Sequence, residues 1–143
     1  WEESATYCES RGKRLPVPAE WEWAARSANP KSRYPWGIDP ATDQPCWSPK
    51  KHRHDGTCVV KSSPLDRSAQ GVHDLAGNVW EWTDTWHCAD YARPSCPKKV
   101  HVVRGGSWSV GLAPFVRSSF RGGPAQASGG DDVGFRCARD LQR

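Results

Sequence analysis

The protein has 143 residues, 36% of them hydrophobic and 25% charged, with a formal net charge of +4. That length suits one domain with its own core, and 13 glycines with 12 prolines favour turns over long helices, which argues against a helical bundle. No apolar run approaches the ~20 residues of a bilayer-spanning helix, Trp1-Glu2-Glu3-Ser4 does not read as a signal peptide, and the basic residues are spread along the chain rather than gathered for nucleic acid.

In chain order, the pattern predicts a first short helix over residues 3–11, where Tyr7 and Cys8 recur at helical spacing. Arg14-Leu15-Pro16 reads as a turn, and a second helix follows over 17–27, where Pro18 precedes the helix formers from Ala19 to Arg26. Prolines at 30, 35, 40, 45, 49 and 64 break any periodicity, so residues 29–68 are expected to be irregular. Strand-like runs come at 78–83 and 100–104, followed by a glycine-rich tail that ends in Val133-Gly134-Phe135-Arg136-Cys137-Ala138-Arg139. The expected class is α+β with little regular secondary structure. The nine tryptophans are expected mostly in the core, because large aromatics fill the space that regular elements would otherwise pack. With no methionine at all, even at position 1, the chain is expected to be a piece of something longer.

Six cysteines stand at 8, 46, 58, 88, 96 and 137 without a Cys-x-x-Cys pair, which favours disulfides over a zinc site. Spacing alone leaves the pairing open, although Cys46 with Cys58 and Cys88 with Cys96 would each close a short loop. Disulfides imply an oxidising compartment, either secreted or periplasmic. The cluster Lys50-Lys51-His52-Arg53-His54 reads as a solvated loop tip, and Asp131-Asp132 as a turn. The histidines form no His-Glu-x-x-His pattern, and neither a Gly-x-Ser-x-Gly elbow nor a phosphate loop occurs.

Five segments occur in a telling order: Arg14-Leu15-Pro16 leading into Ala19-Glu20-Trp21-Glu22-Trp23-Ala24-Ala25-Arg26, then Tyr34-Pro35-Trp36-Gly37, Asp74-Leu75-Ala76-Gly77-Asn78-Val79-Trp80-Glu81-Trp82, Arg104-Gly105-Gly106-Ser107-Trp108 and Gly134-Phe135-Arg136-Cys137. Together they resemble the formylglycine-generating enzyme (sulfatase-modifying factor) family across almost the whole chain. The resemblance implies a disulfide-stapled variant of the C-type lectin fold, with residues 1–143 forming one domain that is its C-terminal portion. It also implies a disulfide between Cys8 and Cys137. Family enzymes make formylglycine with copper, oxygen and a pair of active-site cysteines, and the corresponding positions here are Val110 and Phe115. Neither side chain can bind copper or exchange thiols, so no copper is expected. A second family disulfide falls on Ala25 and Phe120, where both partners are absent together.

A structural calcium site is implied at Asp74, Gly77, Val79 and Glu81. Calcium takes six to eight hard oxygens, and a turn at Ala76-Gly77-Asn78 can aim carbonyls inward while Asp74 and Glu81 supply charge. A second family calcium site would involve Asp55-Gly56-Thr57, but the asparagine expected before it is missing. The expected function is a non-catalytic binding or structural module that recognises a protein, peptide or glycan. Its ligand-facing surface would draw on Trp108, Ser109, Val110, Phe115, Arg117, Phe120 and Arg121. The alternative is an enzyme that uses other residues of the same cleft or a missing N-terminal part.

Overall fold

In the computed structural model, which describes residues 1–41, 45–48, 55–88, 100–127 and 130–140, the chain opens with helix α1 (Glu2–Ser10). Glu2 and Glu3 occupy its first turn, where the helix dipole favours carboxylates, and Cys8 is its buried residue. Helix α2 (Pro18–Ala25) starts on a proline, and the Glu20 carboxylate accepts the Val17 backbone N–H at 3.0 Å, which is one half of a capping box. It stops short of the predicted residue 27 because Ser27 and Ala28 both turn left-handed, with φ of 56°. α2 buries Trp21 and Ala25.

Three strands follow: β1 (Trp80–Trp86), β2 (His101–Arg104) and β3 (Val133–Phe135). They form one sheet in the order β2-β1-β3, with β2 antiparallel and β3 parallel to the central β1. β1 runs beyond the predicted 78–83 window, because a register irregularity between Trp82 and Trp86 lets it continue pairing: Trp82 faces Val103 and Trp86 faces His101. A short 3-10 turn at Ala113–Val116 is the remaining helical element among the described residues.

Two apolar clusters hold these pieces. Trp21, Ala25 and Leu75 form one, and Tyr34, Trp47, Ala76 and Val116 the other. Trp21, Trp47 and Trp80 are buried, but Trp1, Trp36, Trp82, Trp86 and Trp108 are half-buried and Trp23 on α2 is 60% exposed, so fewer tryptophans lie in the core than the sequence led one to expect. The Cys8–Cys137 disulfide links α1 to the residues after β3, beside the Arg14–Ala138 backbone bridge. Closing a loop of 129 residues is worth ~5 kcal/mol in the chain-entropy picture. Cys46–Cys58 staples the irregular region, and Cys88 is also disulfide-bonded. Cys96 and the Lys50–His54 cluster lie outside the described residues.

Candidate functional site

The turn from Asp74 to Val79 leads directly into β1 and carries three of the four expected calcium positions, the fourth, Glu81, being the second residue of β1. Asp74, Gly77 and Asn78 adopt left-handed φ of 56°, 91° and 64°. Only glycine fits at 77, because a Cβ there would lie 2.2 Å from the Cys46 carbonyl oxygen. That carbonyl accepts the Asn78 N–H at 2.7 Å, and the Asn78 side-chain oxygen accepts the Cys58 N–H at 3.0 Å. Both ends of the Cys46–Cys58 bridge therefore hold the turn at Asn78.

Glu81 is buried at 5% exposure. Its Oε2 accepts the Trp21 indole N–H and the Arg136 Nε–H, each at 2.6 Å, and its Oε1 accepts from Arg136 Nη2. Arg136 also donates to the carbonyls of His73 at 3.1 Å and Asp74 at 2.9 Å. Burial works against the Arg136 charge, but Glu81, followed by Asp66 and Asp74, outweighs it and holds the guanidinium above its ordinary range. Burial pushes the Asp66 carboxyl up to about 7, with Asp74 adding to the effect, although it accepts the Leu75 and Ala76 N–H groups.

Asp74, Asn78, Val79, Glu81 and Arg136 line one cavity of about 320 Å³. Hard oxygen donors suit a hard cation, and two carboxylates, Asp74 and Glu81, line the cavity beside one guanidinium. Glu81 would have to share its oxygens between the ion and Arg136. Among the described residues no group of three His, Cys, Asp or Glu side chains converges for a metal, so backbone and amide oxygens would complete the shell.

The segment after β2 is fastened from inside. Arg104 is fully buried and donates to Glu22 at 2.7 Å and to the carbonyls of Ser118, Ser119 and Phe120 at 2.9, 3.1 and 2.6 Å. Its guanidinium lies 5.2 Å from the Trp21 ring centroid. Ser107 and Ser109 both donate to Asp132 Oδ2 at 2.8 Å, so the expected turn at Asp131-Asp132 also anchors this segment.

The expected ligand-surface residues fall in different environments. Ser109 and Arg117 are exposed, while Trp108, Val110, Phe115, Phe120 and Arg121 are half-buried. Val110 packs against the cluster of Tyr34, Trp47, Ala76 and Val116. Phe115 meets Trp80 and Phe120 edge-on, at 6.4 and 4.9 Å between centroids. The Trp108 indole nitrogen is buried without a hydrogen-bond partner, and Arg121 donates to the Cys88 carbonyl at 3.1 Å. Gly106 lets the backbone pass this cluster, since a Cβ there would come within 2.8 Å of Val116.

The sequence reading assigned no role to Arg104, Arg136, Trp21 or Asp66. An arginine directly after the Val102-Val103 pair, opening the Arg104-Gly105-Gly106 segment, was the available hint for Arg104.

Inactive C-alpha-formylglycine-generating enzyme 2 of Bos taurus is 35% identical to this chain, with all of the chain and 49% of the relative covered. A formylglycine-generating enzyme of Thermomonospora curvata is 32% identical over 98% of the chain and 54% of the relative. The chain thus spans about half the length of the curated relatives it matches. Among solved structures, Treponema denticola variable protein 1 superposes with a TM-score of 0.66 at 25% identity, covering 86% of this chain and 46% of that one. The α+β fold with little regular structure and its disulfide staples agree with these likenesses. Residues 1–141 match the Sulfatase-modifying factor enzyme 1-like domain, and the chain belongs to that family.

Proposed function

We propose that this chain serves as a non-catalytic binding module on a formylglycine-generating-enzyme scaffold, in a secreted or periplasmic setting, and recognises a protein, peptide or glycan. The observation that carries this reading is the fate of the two positions where family enzymes hold their thiolates. Val110 and Phe115 are turned into packing, one against Tyr34 and Trp47 and the other against Trp80 and Phe120. Neither can ligate copper or form a mixed disulfide. The likeness to a relative named inactive supports the same reading. Ligand contact would fall on Ser109, Arg117 and the accessible parts of Trp108, Phe120 and Arg121, in the same segment as Val110 and Phe115.

The test is to incubate the protein with a sulfatase-type cysteine peptide, copper and oxygen. Mass spectrometry should find the cysteine unchanged, and turnover to the aldehyde would overturn the reading. The disulfides support the oxidising setting, because no described cysteine is free. Intact-mass measurement without reductant should find no alkylatable thiol.

We further infer a structural calcium ion held by Asp74 and Glu81 side chains with the Gly77 and Val79 carbonyls. Bound only by the folded state, at a concentration of a hundred times its Kd it would add ~2.7 kcal/mol. A melt with and without chelator checks this, and an unchanged midpoint would remove the ion.

A further inference from the structure

A polar cavity of about 640 Å³ lies just past the end of α2. It is enclosed by the loop that carries Ser27, Asn29 and Ser32, the Pro35-Trp36-Gly37 turn, and the segment Arg67-Ser68-Ala69. It shares no residue with the Asp74–Glu81 cavity or with the Trp108–Arg121 segment. No carboxylate lines it, and Arg67 is its one charged side chain. Its volume falls in the range of small-ligand sites, roughly 300 to 1,000 Å³.

The walls are tied together from within. The Ser27 hydroxyl donates to the Pro35 carbonyl at 3.1 Å and accepts the Ala69 N–H at 2.8 Å, so one side chain joins all three segments. Arg26 donates to the Pro30 and Ser32 carbonyls at 3.0 and 2.7 Å and pairs with Glu22, which fixes the loop to α2. Tyr34 and Gly37 exchange backbone hydrogen bonds of 2.9 and 3.0 Å, and the Trp36 ring lies flat on Tyr34 with centroids 4.9 Å apart at 3°. Tyr34 thereby backs the half-buried indole that borders the cavity.

Inside this frame hydrogen-bonding capacity is left unused. Ser32 is 4% exposed, and its hydroxyl makes no hydrogen bond among the described residues. Ser68 is 2% exposed, and its Oγ accepts the Val72 N–H at 3.3 Å while its own O–H finds no acceptor there. Asn29 Oδ1 accepts the Lys31 N–H at 3.0 Å, which leaves its amide N–H groups available. Arg67 is exposed and has no ion pair among the described residues. Buried hydroxyls are as a rule paired, so this set points to a ligand that brings both donors and acceptors. The indole adds a flat apolar platform, and a guanidinium fork matches a planar carboxylate. A peptide strand is disfavoured, because the Tyr34–Gly37 turn spends its backbone on itself and offers no edge to pair with.

We propose that this cavity binds an acidic sugar, a uronic acid unit of a glycan. The sugar ring lies against Trp36, its hydroxyls hydrogen-bond with Ser32, Ser68 and Asn29, and its carboxylate pairs with Arg67. The site uses no residue of the Trp108–Arg121 segment, so either reading can fail without the other.

The probes are the methyl glycosides of glucuronic and galacturonic acid, their uncharged glucose and galactose counterparts, and cyclohexanecarboxylate, which has a ring and a charge but no hydroxyls. Each is titrated while the Trp36 indole N–H signal is followed by NMR. A saturable shift in the millimolar range is expected with at least one uronic glycoside. Its uncharged counterpart and cyclohexanecarboxylate should each bind about fivefold more weakly. Arg67→Gln should weaken the uronic glycoside about fivefold and leave its uncharged counterpart unchanged. Ser32→Ala should weaken both about threefold and keep the melting midpoint, since the hydroxyl has no partner within the protein. Circular dichroism confirms that both variants fold. The proposal is overturned by the absence of saturable shifts with both uronic glycosides, by equal affinity for the uncharged sugar or for cyclohexanecarboxylate, or by affinities that the two substitutions leave unchanged.

Discussion

Trp21 stands between two arginines that do different work. Its ring faces Arg104, and its N–H meets the carboxylate that holds Arg136. Arg136 pairs with Glu81, whose side chain is 6% exposed, and closes the Asp74–Val79 turn through the His73 and Asp74 carbonyls. Arg104 pairs with Glu22, a carboxylate that is 32% exposed and shared with Arg26, and also donates from Nη1 and Nη2 to the carbonyls of Ser118, Ser119 and Phe120. The first pair is a weld with its carboxylate inside and its arginine, 29% exposed, on the outer side. The second reaches from the interior to the rim and shapes the segment that carries Arg117. A scaffold built this way keeps its turn and sheet fixed by one arginine and the outline of a neighbouring surface by the other.

Breaking the weld should cost most. Arg136→Met leaves Glu81 buried with only the Trp21 N–H, and removing one member of a buried ion pair costs about 3 to 5 kcal/mol. Urea denaturation should show a loss in that range, and the double variant Arg136→Met with Glu81→Leu should recover part of it because no buried charge is then left alone. Arg104→Met should cost about 3 kcal/mol, since three carbonyls lose their donor while Glu22 keeps Arg26 and some water. Hydrogen exchange separates the two cases. Amides of residues 117–122 should lose protection in the Arg104 variant, and those of 74–82 in the Arg136 variant.

This division of labour was only partly visible in the sequence. Proline at the head of α2 and a strand beginning near Trp80 follow from local rules; α1 lies one residue earlier than expected, and α2 ends at Ala25 because Ser27 and Ala28 turn left-handed. The turn at Gly77 could be read from Ala76-Gly77-Asn78, but its close approach to Cys46 could not, since that contact depends on a disulfide closing an irregular loop. Spacing did not pair Cys8 with Cys137; the family likeness did. The partners of Arg104 and Arg136 lie far away in sequence, Glu22 on α2 and Glu81 on β1, and no local pattern records such a meeting. The Trp1–His101–Trp86 stack likewise needs the β1–β2 register and its irregularity before it exists.

The smallest expected effect sharpens the same contrast through pH. Burial raises the Glu22 carboxyl, but hydrogen bonds from Arg26 and Arg104 outweigh it, and its folded pKa lies below the ordinary glutamate value. A depressed carboxylate contributes stability above its unfolded pKa and loses it as pH falls through the folded one. The wild type should therefore lose a modest part of its stability from this group as pH falls below the ordinary glutamate range, modest because Glu22 is partly solvated. Asp66 has the opposite sign. Its folded pKa is raised to about 7, so its contribution is complete below the unfolded value and is lost as pH rises toward neutrality. Subtracting the stability profile of Glu22→Gln from that of the wild type cancels Asp66 and leaves the acid-side term alone. The same subtraction in the Arg104→Met background should leave a smaller difference, since only Arg26 then holds Glu22. An undiminished difference would mean that Arg26 carries the pair and that Arg104 is held by the carbonyls of 118–120 alone.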